Sequence, residues 1–113
     1  MRASNDSLRY VRAATAVLGD KWTPQLLYVL ADCETTRFCK LQDSVGGINP
    51  RTLSARLASL EENGIIEKTP TSTSSRCEYQ LTQKGRGLLP VINRMETWAS
   101  HYDSTPYQSS LSK

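Results

Sequence analysis

Apolar residues recur every three or four positions over most of the chain, alternate over a short stretch past its middle, and then return to helical spacing. Leu8, Val11, Ala14 and Leu18 predict a first helix over about 8–18, extended on the same face by Tyr10 and Val17. Ser7 is its expected cap and Gly19 its left-handed stop. Residues 1–6 are polar and read as a disordered N-terminus. Thr23-Pro24 reads as a cap followed by the first helical residue. The helix it opens, Gln25–Ala31, carries Leu26, Leu27, Val29 and Leu30 and is expected to be the buried centre of the domain. A connector over 32–37 follows, with a minor strand at Thr36–Phe38, and then a short helix over Cys39–Val45. Gly46-Gly47 supplies a tight turn. Asn49 caps a new helix with Pro50 in its first position, and Leu53, Leu57 and Leu60 form its inner stripe. Gly64 closes it.

Ile65–Thr69 and Cys77–Leu81 alternate as strands do, joined by the polar stretch 70–76. Two helices across a glycine turn make a helix-turn-helix, and a hairpin directly after them makes its wing. Thr82 caps a last helix running to Tyr102, in which Pro90 predicts a kink or break. The expected fold is therefore mainly α with a small β-hairpin: a winged helix-turn-helix domain over 7–102, with a flexible Ser-rich tail over 103–113.

Composition narrows the function. The chain has 113 residues, room for one domain. Its 14 Lys+Arg and 11 Asp+Glu leave a net charge of +3, which permits a nucleic-acid partner without demanding one. No apolar run approaches the roughly 20 residues of a membrane span, so no membrane association is expected. No secretory signal is visible, and the expected location is cytoplasmic. Cys33, Cys39 and Cys77 form no close pair, and with His101 they show no zinc spacing, so neither a disulfide framework nor a metal site is expected. With no nucleophile motif, no paired carboxylates and no phosphate-binding loop, the chain does not read as an enzyme, and no cofactor is expected.

The chemistry concentrates on Asn49–Asn63. Its first ten residues hold Arg51 and Arg56 and no acid, while Glu61 and Glu62 sit at the far end. A helix entering the major groove needs this polarity, because its N-terminal turns meet base edges and phosphates. Thr52, Ser54, Ala55 and Ser59 are small enough for close approach, and either arginine can pair with a guanine edge. Asn49 and Pro50 complete the candidate DNA-binding set on this helix, and Ser75 and Arg76 supply it on the wing. A winged helix that uses this surface for a protein partner, without specific DNA binding, is the alternative.

Four stretches resemble one family. Leu18-Gly19-Asp20-Lys21-Trp22-Thr23-Pro24 is similar to its L-G-G-K-W-T signature, and Asn49–Leu57 to its S-P-R-T-L-S-x-R-L stretch. Leu60–Ile66 and Cys77–Gly85 resemble its L-E-E-x-G-[LI]-[IV] and V-E-Y-x-L-T-x-x-G segments. The chain resembles the HxlR-type winged helix-turn-helix transcription regulators, related to MarR-type proteins, over about residues 8–102. The resemblance implies a homodimer on double-stranded operator DNA, built by the first and last helices. Here these are 8–18 and 91–102, with Leu8, Val11, Leu18, Val91, Met95, Trp98 and Tyr102 as interface candidates. Relatives that sense oxidants through a first-helix cysteine have no counterpart, since no cysteine precedes Cys33. Cys39 is the remaining redox candidate. Trp98 and Tyr102 fit a dimer contact better than a ligand pocket, which still leaves room for a small-molecule effector. Trp22 reads as a core anchor.

Overall fold

A computed structural model describes residues 5–70 and 77–102. The elements run α1 Asn5–Leu18, α2 Thr23–Ala31, β1 Thr36–Arg37, α3 Phe38–Val45, α4 Pro50–Glu62, β2 Ile66–Pro70, β3 Cys77–Leu81, α5 Gln83–Arg86 and α6 Leu89–Tyr102. The core joins the elements around α2 and α4. Leu26, Leu27 and Leu30 of α2 meet Leu41 of α3, Leu53, Leu57 and Leu60 of α4, Ile66 and Leu81 of the sheet, and Ile92 of α6. The inner stripe of α4 is thus the one its leucine spacing predicts. α2 is not buried all round: Tyr28 is exposed.

The sheet has three strands in the order β1-β3-β2, all antiparallel. Thr36 pairs with Tyr79 and Arg37 with Glu78, so the minor strand at Thr36 completes the sheet. β2 begins one residue later than expected. Ile65 N–H donates to the Leu60 carbonyl at 2.9 Å and the Ile65 carbonyl accepts from Thr82 N–H at 3.0 Å, which keeps this residue in the turn.

Several ends differ from expectation, and Phe38 opens α3 instead of closing β1. α1 starts at Asn5, so Asn5 and Asp6 are helical and Ser7 lies within the first turn instead of capping it. Gly19 does not take a positive φ; among the described residues only Gly46, Gly47 and Gly64 do. What Gly19 avoids is a clash, because a Cβ there would run into the Thr15 carbonyl oxygen. The long last helix is two helices, broken at Gly87-Leu88. Pro90 falls in the first turn of α6, where its missing N–H has no intrahelical partner to lose, so it starts that helix and does not kink it.

The apolar faces at the two ends of the chain remain largely uncovered. α1 has no buried residue, although Val17 and Leu18 pack against the core at its end. α6 buries Ile92 and exposes Val91, Met95, Trp98 and Tyr102. Among the described residues no helix is long and apolar enough to cross a membrane.

Candidate nucleic-acid interface

The mount of α4 begins in the turn before it. Gly46 and Gly47 both have φ near 75°, a conformation side-chain-bearing residues rarely take, and together they reverse the chain between α3 and α4. Ile48 is buried beneath the turn, and Gln42 Nε2 donates to its carbonyl at 3.3 Å. Asn49 Oδ1 accepts from Arg51 N–H at 2.8 Å, the expected cap, and Pro50 follows it. At the other end Asn63 Nδ2 donates to the Ser59 carbonyl at 2.8 Å, and Lys84 Nζ donates to the Asn63 carbonyl at 2.8 Å. That ammonium sits where the helix dipole favours a cation, a contact from 21 residues away that spacing could not reveal.

With Leu53, Leu57 and Leu60 turned inward, α4 presents Arg51, Ser54, Ala55 and Ala58 to solvent. Asn49 and Pro50 are exposed ahead of them. Thr52, Arg56 and Ser59 lie half-buried along the flanks. The exposed strip carries its positive charge early and its acids, Glu61 and Glu62, in the last turn. It is narrow and studded with short side chains, so a flat or grooved polyanion can come close to the backbone.

The two arginines differ. Arg51 makes no ion pair among the described residues, whereas Arg56 Nη1 lies 3.4 Å from Asp20 Oδ2. Asp20 is the partner of Arg56 that sequence reasoning missed, although it stands inside a quoted motif. Its Oδ1 accepts from Trp22 N–H and Thr23 N–H, each at 2.8 Å, and its Oδ2 accepts from the Thr23 hydroxyl at 2.5 Å. The N-cap position of α2 is Trp22, whose side chain caps nothing; Thr23 is the first helical residue, and Asp20, two residues before the cap, accepts the N–H groups of both. Burial pushes the Asp20 carboxyl up, but the Thr23 hydroxyl, the Thr23 and Trp22 N–H groups and the Arg56 guanidinium outweigh it and hold the group below its ordinary value. Trp22 packs half-buried on the core, and Lys21 Nζ lies 4.7 Å from its ring centre.

The β2–β3 hairpin projects beside α4, with Lys68 and Thr69 exposed on β2. Ser75 and Arg76, the wing candidates, lie outside the described residues. Arg37 Nε sits 3.7 Å from Glu78 Oε2, tying β1 to β3.

The interface candidates at the chain ends separate in the same way. Leu8, Val11, Val91, Met95, Trp98 and Tyr102 are exposed, with Trp98 and Tyr102 each at 67%. Leu18 is half-buried: it packs against the core and also lines a shallow concavity with Val11 and Ala14. The rings of Trp98 and Tyr102 lie 5.6 Å apart and His101 meets Tyr102 edge-on, giving one aromatic patch on α6. Cys39 is exposed near the start of α3, on the rim of a concavity of about 720 Å³ shared with Phe38, Lys40 and Tyr79.

Known proteins match this arrangement. Residues 17–107 match the HxlR-like helix-turn-helix family. The uncharacterized HTH-type transcriptional regulator BH0655 of Halalkalibacterium halodurans is 33% identical over 84 residues, 74% of this chain and 74% of its own. The HTH-type transcriptional regulator YodB of Bacillus subtilis is 31% identical over 93 residues, 81% of this chain and 82% of its own. The reduced form of YodB superposes with a TM-score of 0.74 at 27% identity, covering 91% of this chain and 97% of that one. The structure of PA1607 gives a TM-score of 0.74 at 34% identity over 81% of this chain, which spans 63% of that protein's length. Sequence match, relatives and architecture agree, and the chain belongs to the HxlR-like helix-turn-helix family of transcription regulators, with a winged helix-turn-helix fold.

Proposed function

We propose that the protein is a sequence-specific double-stranded DNA-binding regulator that acts as a homodimer on a pseudo-palindromic operator. The observation that carries this reading is the outer strip of α4: an exposed Arg51 beside Ser54 and Ala55, no acid before the last turn, and a buried leucine stripe behind. α4 enters the major groove with its N-terminal turns against the bases. Arg51 reads a guanine edge through two hydrogen bonds, and Asn49, Pro50, Thr52, Ser54, Ala55 and Ser59 line the approach. The wing, to which Ser75 and Arg76 belong by sequence, reaches the adjacent minor groove and its phosphates. Two copies pack through α1 and α6, using Leu8, Val11, Val91, Met95, Trp98 and Tyr102, and set the two recognition helices about one DNA turn, 34 Å, apart. That YodB is named a transcriptional regulator supports the reading.

The test is the Arg51→Ala variant on an operator duplex recovered from a random pool. Loss of a two-bond base contact costs about 1–3 kcal/mol and relaxes the preference at one base pair per half-site. Unchanged affinity together with unchanged preference rejects Arg51 as the reader.

A further inference from the structure

Arg51 and Arg56 lie five positions apart on one helix, and of the two only Arg56 is ion-paired among the described residues. The Arg56 guanidinium turns back along the flank of α4 to a carboxylate 36 positions earlier. That carboxylate is fixed before the arginine reaches it. Both Asp20 oxygens are already engaged by the backbone and hydroxyl that start α2, and Thr23, which supplies two of those bonds, is itself buried. Asp20 also lies two residues past the end of α1, the helix whose apolar face is left uncovered. The Asp20–Arg56 pair is thus a polar link, beside the leucine packing of α2 on α4, between the joint carrying α1 and the side of α4.

We propose that Arg56 is a positioning residue and not a base reader: its ion pair with Asp20 sets how α4 sits against the α1–α2 joint, and so ties the recognition helix to the dimer-forming helix. This rests on the DNA-binding reading above. A guanidinium held 3.4 Å from a carboxylate is partly neutralised and adds little to phosphate attraction. Its effect on DNA comes through where it holds Arg51 and Ser54. A misplaced helix weakens all its contacts together, while the identity of the preferred bases survives.

The experiment titrates the operator selected by the wild-type protein with Arg56→Ala, Arg56→Lys, Asp20→Asn and the double variant Asp20→Asn/Arg56→Ala, at several salt concentrations. Asparagine keeps one side-chain oxygen to accept from Trp22 N–H and Thr23 N–H, so Asp20→Asn keeps those bonds and loses the charge. A coupled pair predicts about three- to tenfold weaker binding for Arg56→Ala and for Asp20→Asn, with the double variant no weaker than either. Base preference and the slope of affinity against salt stay as in the wild type. Arg56→Lys, which keeps the charge, binds closer to wild type than Arg56→Ala. Three results overturn the inference: additive losses in the double variant, a salt slope reduced by about one in Arg56→Ala as for a lost phosphate contact, or a base preference relaxed by Arg56→Lys as for a lost two-bond contact. Single variants that bind like wild type overturn it as well. If Asp20→Asn fails to fold, the two Arg56 variants decide through salt slope and preference. A wild-type protein that selects no motif overturns the DNA reading and this inference together, whereas a clear motif with additive variants overturns only the inference.

Discussion

Asp20 combines two jobs that are usually separate, holding the N–H groups of Trp22 and Thr23 at the start of α2 and receiving the Arg56 guanidinium. Its carboxyl is held below its ordinary value, so the folded protein favours the charged form more than the unfolded chain does. The stability this contributes is complete at neutral pH and is lost as pH falls below the unfolded value near 3.8, through the lower value of the folded state. Denaturant melts at pH 7 and in the acid limb therefore show a shallower acid loss in Asp20→Asn than in the wild type. Equal acid dependence in the two proteins contradicts the assignment. Leu53 lies at the other extreme, fully buried at the centre of the α4 stripe. Leu53→Ala leaves a cavity and costs about 2–5 kcal/mol in the same melts.

The helix-turn-helix was legible in the sequence because its signals are local. Asn49-Pro50 marks a start, leucines spaced by four and three mark a buried face, and Gly46-Gly47 marks a reversal that few other residues can make. A Cβ on Gly46 would meet nothing within 4 Å, so Gly46→Ala tests backbone conformation alone. With φ at 76° the substitution costs about 1–3 kcal/mol in chemical denaturation, and a neutral result removes the argument for a glycine there. What was not legible is non-local or competitive. The Asp20–Arg56 pair spans 36 residues, and the Lys84 contact with the Asn63 carbonyl spans 21. Thr23 before Pro24 reads as the cap of α2, yet the helix begins one residue earlier with Trp22 at the cap position, and a carboxylate three residues before Thr23 accepts its N–H. The α5–α6 break at Gly87-Leu88 was masked by Pro90, which suggested a fault two residues too late. The buried face of α4 followed directly from the leucine stripe, but the pairing of Arg56, which divides the two arginines, did not.

A single copy leaves Val11 60% exposed on α1 and Trp98 and Tyr102 67% exposed on α6, more apolar surface at its two ends than a chain with so small a core would leave in water. The second copy is the proposed cover. Sedimentation of the wild type then gives twice the 12.6 kDa chain mass, and Trp98→Glu shifts it toward the single-chain value while α4 stays folded. A wild-type protein that sediments at 12.6 kDa across the micromolar range contradicts that cover. In the proposed dimer the two copies and the reading head form one device, because the spacing of two α4 helices is what a symmetric operator records. Selection of binders from a random duplex pool by the purified, reduced protein at two salt concentrations tests this most directly. The account predicts an enriched two-fold symmetric motif, with half-site centres about 10 base pairs apart, that persists at the higher salt. An unenriched pool whose residual binding disappears at that salt would be phosphate attraction alone, and would contradict it.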